Sequence, residues 1–423
     1  MAKKDGTQVT VRMYNVGFGD AFLVTVNDGP QAWRMLIDCG VFPAGQTRPI
    51  AESVQMIVED VRAACAPAPP RLDVVAATHH HIDHISGFAQ AAWEEMEVGE
   101  VWVPYVEDPD DPDGRILRGE QVEAAHALRG LVESVSGRLA ATDELGLQQL
   151  QMAGIFAANS EGDDPATDRL LGRNGSAFRN RPEVRYLPSR DPARNVIPTA
   201  LADTVVHVLG PSRDPEMVKR MKPPKAVRWL QFAEDERPAE ADSTPLFEPR
   251  YAVAPDRVAH VITEEARTTI DRLALRATNL SDELPAAASV LESSVNNTSL
   301  FFVLSIRETR LVFVGDSQYG AWEHVLNAPG SRELVTQPAF YKIGHHGSHN
   351  ATPKRYAEEI LGVDAYAMMP FGPVSQWPSI PEHKLLDALA LKGTHLVRAD
   401  DPTGDGVKVG PKKRWSEIEF LVP

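Results

Sequence analysis

Four histidines and an aspartate crowd into Thr78-His79-His80-His81-Ile82-Asp83-His84, directly after the apolar run Leu72-Asp73-Val74-Val75-Ala76-Ala77. The fold must therefore set a dense polar cluster at the end of a β-strand. Alternate residues of an extended chain point the same way, so His79 and His81 can close on one cation. Asp83 and His84, in the turn that follows, can close on a second. Imidazole mixed with carboxylate suits a borderline ion such as zinc, at about 2.0–2.2 Å. A His-rich surface tract could also collect metal incidentally. Against that, the chain has only 13 histidines in 423 residues, and this run is neither terminal nor repetitive. It reads as a metal site.

Composition bounds the rest. A chain of 423 residues exceeds one ordinary core, so its length predicts two or three domains, or one large domain with insertions. Hydrophobic content of 43% beside 24% charged residues is that of a soluble globular protein. No run approaches the ~20 apolar residues of a membrane helix. The opening Met-Ala-Lys-Lys-Asp-Gly-Thr-Gln lacks the apolar core of a signal peptide. Two cysteines, Cys39 and Cys65, are too few for a disulfide framework and lack zinc-ribbon spacing. The expectation is a cytoplasmic protein with no membrane partner, whose metal rests on His and Asp. A formal charge of -16 argues against tight nonspecific binding to duplex nucleic acid, which asks for a basic face. Lys412-Lys413-Arg414-Trp415 is the best basic candidate, with Lys219, Arg220, Lys222 and Lys225 second. Both read first as solvated faces.

Residues 7–40 predict a β-hairpin or meander, with β-branched runs at 9–14 and 21–26 and a third at 33–37. Residues 51–65 have helical spacing, with Val54, Ile57, Val58, Val61 and Ala64 on one face. A helix is expected from Ser86 through Glu95, then a strand at Val101-Trp102-Val103-Pro104, completing a βαβ-like unit around the histidines. Residues 117–157 and 260–292 read as helix, and 158–200 as polar loop. A short strand, Thr204-Val205-Val206-His207-Val208-Leu209, stands between irregular stretches. Strands return at 299–306 and 309–314, the second ending at Gly315-Asp316-Ser317. Strands at both ends of the chain suggest a layered α/β fold with an inserted middle. The division expected is 1–105, an insertion at 106–295 containing a core-like strand near 203–212, and 296–423.

Two further polar sites lie at strand ends. One is Asp316; the other is Lys342-Ile343-Gly344-His345-His346-Gly347-Ser348-His349. Adjacent histidines followed by Gly suit a backbone that passes close to a ligand. With these motifs the chain resembles the metallo-β-lactamase-fold hydrolase superfamily, and within it the soluble hydrolase domain of the ComEC/Rec2 group. Asn15-Val16-Gly17-Phe18-Gly19-Asp20-Ala21 resembles that group's opening motif. Leu36-Ile37-Asp38-Cys39-Gly40 resembles the superfamily's first motif, and His79, His81, Asp83 and His84 fill its His-x-His-x-Asp-His. Val208-Leu209-Gly210-Pro211, Asn296-Asn297-Thr298-Ser299-Leu300, Val314-Gly315-Asp316 and His345-His346-Gly347-Ser348 resemble later landmarks. The likeness covers about residues 9–105, 203–215 and 296–400.

The resemblance implies an α/β fold of αββα four-layer type, a metallo-β-lactamase sandwich with a largely helical and irregular insertion. It implies two divalent ions, zinc first and manganese second. His79 and His81 would hold one, Asp83 and His84 the other, with Asp316 bridging and His346 as the last ligand. His345 is then left to contact substrate or move a proton, and the reverse assignment of His345 and His346 stays open. Asp38 would act from behind the ligands. The superfamily's additional histidine has His207 as its obvious candidate here, with His126 and His260 weaker. Ile380-Pro381 stands where the group often has His-Pro.

Such a site would hydrolyse a phosphodiester with a metal-bound hydroxide oriented by Asp83 and Asp316, as a nuclease or nucleotide phosphodiesterase. His345 would serve the developing charge or the leaving oxygen. The expected partner is a phosphodiester or nucleotide, including single-stranded nucleic acid. Hydrolysis of another ester, lactone or thioester bond is a second reading. A metal-stabilised module that binds a protein through the 106–295 insertion is a third.

Overall fold

Val9, Val11 and Met13 alternate with Gln8, Thr10 and Arg12, and the segment forms a strand with its apolar set fully buried. That alternation commits one face to a core. The computed structural model describes residues 6–136, 144–161, 164–219, 288, 290–375 and 377–422. In chain order it begins β1 (Thr7–Tyr14), β2 (Ala21–Asp28), β3 (Gln31–Cys39), α1 (Ile50–Cys65), β4 (Arg71–Ala76), α2 (Ile82–Ile85) and β5 (Glu97–Pro104). Next come α3 (Pro112–Ser136), α4 (Glu144–Glu161), α5 (Asp164–Leu171), β6 (Glu183–Leu187), β7 (Val196–Pro198), β8 (Thr204–Gly210) and α6 (Pro215–Lys219). The last third holds β9 (Phe301–Ile306), β10 (Thr309–Phe313), α7 (Tyr319–Asn327), α8 (Ser331–Val335), β11 (Phe340–Lys342) and β12 (Tyr366–Met369). It ends with α9 (His383–Lys392), β13 (His395–Arg398), β14 (Lys408–Val409) and β15 (Trp415–Val422).

The strands form two mixed sheets. One has the order β14-β15-β1-β2-β3-β4-β5-β6, the other β13-β12-β11-β10-β9-β8-β7. The antiparallel meander β1-β2-β3 continues into parallel β4, β5 and β6. In the second sheet β7 to β10 are antiparallel and β10 to β13 parallel. One apolar cluster joins the sheets: Val11, Phe22 and Met35 from the first meet Phe302, Leu304 and Phe313 from the second. The opposite faces carry helical elements. Val54, Ile57, Val58 and Val61 of α1 pack on the first sheet, and Trp322 of α7 with Leu385 and Leu389 of α9 pack on the second. Coverage on both faces explains near-continuous apolar strands such as β9, which is antiparallel to both neighbours.

Several elements differ from the sequence reading. Residues 86–95 form two 3₁₀ turns rather than one helix, bent around the buried Trp93 indole, which donates to Gly87 O at 2.8 Å. The polar stretch 158–200 holds the end of α4, all of α5, and the strands β6 and β7. Both strands lie at sheet edges and each buries only one residue, so their composition reads as loop. Residues 183–210, inside the expected insertion, thus belong to the two sheets. The expected helix 117–157 is two helices, α3 and α4, which pack with Ala288, Leu291 and Val295 through Ala125, Leu128, Ala153 and Ala157. Most of the helix read at 260–292 lies outside the described residues, as do His260, Arg220, Lys222 and Lys225. No helix among the described residues is long and apolar enough to cross a membrane.

Candidate metal centre

The ends of β3, β4, β10 and β11 and the start of β9 converge on one buried spot. Asp38, next to last in β3, is 1% exposed with φ +56, a region aspartate enters more readily than most residues. Its carboxylate accepts from Thr78 N at 2.7 Å and from Thr78 Oγ1 at 2.8 Å, which fixes the exit from β4. Its Oδ2 also takes His84 Nδ1 at 2.8 Å. The loop runs so close behind β3 that a Cβ on Gly40 would lie 2.5 Å from the backbone N of His84. On the other sheet Leu300 N donates to Thr78 O at 2.8 Å, tying β9 to the same loop.

The partners of the imidazoles fix which nitrogen faces inward. His84 Nδ1 faces the Asp38 carboxylate and His346 Nδ1 faces the Pro370 carbonyl at 2.9 Å; both oxygens only accept, so both Nδ1 atoms carry the proton. Thr78 Oγ1 gives its proton to Asp38, so it accepts from His79 Nδ1 at 3.1 Å. In all three rings Nε2 is thereby the nitrogen turned into the site, where a bound cation would take its lone pair. Metal ligands are commonly oriented in this way from behind. His346 Nε2 lies 3.1 Å from Asp83 Oδ2 and 3.9 Å from Asp316 Oδ2, and His84 Nε2 lies 3.1 Å from Asp316 Oδ2. Ligand atoms of Asp83, His84, Asp316 and His346 all fall within 4.8 Å of one another, all buried. Beside them His79 Nε2 and His81 Nδ1 stand 3.0 Å apart.

Unmet polar demand marks the same spot. Asp83 Oδ1, His84 Nε2 and His81 Nε2 are buried without a hydrogen-bond partner, a state that costs about 1–3 kcal/mol per group. The field is negative. Burial works against charging His84, yet Asp316, Asp20, Asp38 and Asp83 raise its pKa well above the ordinary value. Burial also opposes ionised Asp83 and Asp316, and in each His84 leads the groups that hold the carboxyl low. Asp83, His84, Asp316 and His346 can hold a metal ion. A second grouping, Asp20, Asp38 and His84, has the same proximity. Here Asp38 has three donors and Asp20 Oδ2 lies 2.5 Å from the buried ammonium of Lys342, while Asp20 Oδ1 is buried without a hydrogen-bond partner.

Lys342 is the site residue that sequence reasoning missed, together with Asp20. Its Nζ donates to Gly315 O at 2.7 Å and to Asp316 Oδ1 at 3.1 Å. Burial opposes its charge, but Asp20 and Asp316 hold its pKa above the usual lysine value. The signals were present in the quoted Gly-Asp-Ala and in Phe340-Tyr341-Lys342, but nothing local links them.

His345 and His346 diverge. Both sit at positive φ, +44 and +52, which swings the rings apart. His346 enters the cluster, with Phe18 packed on it at 3.9 Å between ring centroids. His345 stays beside the centre, its backbone N donating to Asp316 Oδ1 at 2.9 Å, but its ring takes other partners. Ser348 Oγ gives its proton to Asn350 Oδ1 at 2.8 Å and so accepts from His345 Nδ1 at 2.8 Å. His345 Nε2 faces Glu292 Oε1 at 3.4 Å, from the far end of the expected insertion. Burial lowers the basicity of His345, but Glu292 and Asp316 hold its pKa above the ordinary value.

Of the remaining candidates, His207 is not brought in. It lies within β8, registered with Val303 and Val196, on the face opposite the core residues Val206 and Val208. Burial alone lowers its pKa, with no site residue contributing. His126 is exposed on α3. His80 points away from its neighbours: Nδ1 lies 3.0 Å from Glu107 Oε1, and Nε2 lies 3.0 Å from the Ser160 carbonyl and 2.7 Å from Arg118 Nη1 of α3. Burial raises and Arg118 with His80 lowers the Glu107 pKa, leaving it near 2.

No protein-family model matches this chain, and no curated protein matches it.

Proposed function

We propose that the chain is a metal-dependent hydrolase of phosphodiesters, a nuclease or nucleotide phosphodiesterase, built on the αββα sandwich of the metallo-β-lactamase superfamily and most similar to the ComEC/Rec2 hydrolase domain. One observation carries the reading: the buried group Asp83, His84, Asp316 and His346 adjoins the paired nitrogens of His79 and His81. In this reading two divalent ions, zinc or manganese, are held by those six residues. When bound, such ions supply an activated water and offset charge on the phosphoryl oxygens.

The chain's own groups do the remaining work. Asp83 and Asp316 neutralise the cations, and Asp38 keeps His84 in its ligating tautomer from behind. Phe18, stacked with Trp377 at 4.8 Å, walls the His346 side against bulk water. His345 has Nδ1 engaged by Ser348, so Nε2 is the nitrogen that would hand a proton to the leaving oxygen. Glu292 holds that nitrogen in place. The net charge of -16 favours a small or single-stranded substrate over a duplex.

The test is turnover of bis(p-nitrophenyl) phosphate by protein loaded with zinc or manganese, beside Asp83→Asn. The expected result is metal-dependent release of p-nitrophenol that the variant loses. Absence of turnover with either metal, from protein shown to bind it, would move the substrate to a carboxylic ester, lactone or thioester.

A further inference from the structure

Resting on that reading, the geometry points to two unequal cation sites: a complete one at Asp83, His84, Asp316 and His346, and an open one at His79 and His81 that a phosphate oxygen completes. We infer that phosphate and the second cation bind as a linked pair.

The inference begins with ligand supply. The complete site gathers four protein ligands, two of them carboxylates, so a dication there is matched in charge. The His79–His81 pair offers two neutral nitrogens 3.0 Å apart. The histidine expected to join them, His207, lies within β8 and is not in either metal-ligand grouping among the described residues. Ser299 Oγ, 3.2 Å from His79 Nδ1, meets the outward edge of that ring rather than the nitrogen facing His81.

Asp316 cannot make up the difference in full. Its Oδ1 already accepts from His345 N at 2.9 Å and from Lys342 Nζ at 3.1 Å. Only Oδ2 remains, and it faces His84 and His346. A bridge through that one atom would leave the open site with three protein ligands and no charge of its own. Of the other two buried carboxylates nearby, neither groups with His79 and His81: Asp20, whose Oδ1 has no hydrogen-bond partner, falls with Asp38 and His84. Asp20 is paired with Lys342, and Asp38 serves Thr78 and His84. Lys342 thus does by charge what a second tight cation would otherwise do. Among the described residues a dication at His79 and His81 then lacks an anion, and a phosphodiester or phosphate brings one together with oxygen ligands. By thermodynamic linkage each must tighten the other by the same factor.

The experiment is zinc titration of the whole apo-protein against a chromophoric chelator, with and without millimolar inorganic phosphate at buffered free zinc. The expected result without phosphate is one tight ion and one at least about tenfold weaker, with phosphate tightening only the weaker by about tenfold or more. His81→Ala should remove the weak ion and keep the tight one. Two ions of equal affinity without phosphate, or a weak ion indifferent to phosphate, would overturn the inference. Linked binding without diester turnover would instead leave this inference standing and sink the proposed reaction. Absence of any tight ion would sink both.

Discussion

Asp38→Asn changes no volume and isolates the clamp behind the metal loop. In the native protein one carboxylate receives three donors: Thr78 N, Thr78 Oγ1 and His84 Nδ1, at 2.7, 2.8 and 2.8 Å. An amide has one accepting oxygen and one NH₂. With the NH₂ at the Oδ1 position, it opposes the Thr78 backbone N–H, which cannot reverse. With the NH₂ at the Oδ2 position, it opposes His84 Nδ1, and the ring must move its proton to Nε2, where the ligand lone pair belongs. Either arrangement leaves a buried donor or a blocked ligand, a cost of about 1–3 kcal/mol. That corresponds to about one to two decades of metal affinity, the range typical when a group behind a metal ligand is lost. Zinc affinity by chelator competition should therefore fall about 10- to 100-fold, with circular dichroism showing the fold retained. A variant that binds zinc within about twofold of wild type would refute the tautomer argument for His84, since no third orientation of the amide exists.

Two further outcomes follow from buried charge elsewhere. Lys342→Met strands Asp20 and leaves Asp316 with one donor fewer; breaking such a pair costs about 3–5 kcal/mol. Urea unfolding at neutral pH should show that loss, and adding Asp20→Asn should recover part of it; a second substitution that only adds to the damage would show that the pair is not the cause. Asp111 accepts from Gly114 N and from both Arg190 and Arg213. Burial opposes its ionisation, but those donors hold its pKa well below the usual carboxylate range. Its folded value lies under the unfolded value of about 3.9, so its stabilisation is complete above about pH 4 and fades as pH falls through the folded value. Asp111→Asn should flatten the acid limb of a urea-stability profile below about pH 4 and leave the slope near neutrality unchanged; a parallel acid limb would rule the role out.

What was legible in the sequence follows from the range of each interaction. The β1-β2-β3 meander, α1 and the β9-β10 hairpin declare themselves through period, because each buries a face against something wide and apolar. The His79–His84 run was legible for the same reason, since a strand's period of two fixes which side chains share a side. Edge strands β6 and β7 were not, because each buries a single residue and the rest resembles loop. Lys342 and Asp20 were invisible as a pair. Each is an ordinary strand-end residue until the two sheets meet, and only then does burial make their charges depend on one another. Glu292 is likewise one acid in a helical segment until packing with α3 and α4 delivers it to His345. His207 shows the converse. Strand placement alone recommended it, yet the alternation of Thr204, Val206 and Val208 already set it on the other face from the shared core.

The same period of two gives the histidine run a double use. His79 and His81 face the cation side, so His80 must face the other, where Glu107 and Arg118 of α3 hold it. One turn on, Ile82 N donates to Asn159 Oδ1 of α4 at 2.9 Å. At the far side of the centre Glu292 reaches His345 from the segment packed against those same helices. The helical cluster of α3, α4 and residues 290–295 therefore grips the centre at both ends, beside ligands at each. Its polar contacts carry buried partners, which make displacement costly in proportion to what each would leave unpaired. A shift of α3 against the sheets cannot leave the ligand loop untouched, because the backbone from His79 to His81 runs through the residue that α3 holds. This places the cluster mechanically in series with the metal ligands, whatever closes over them.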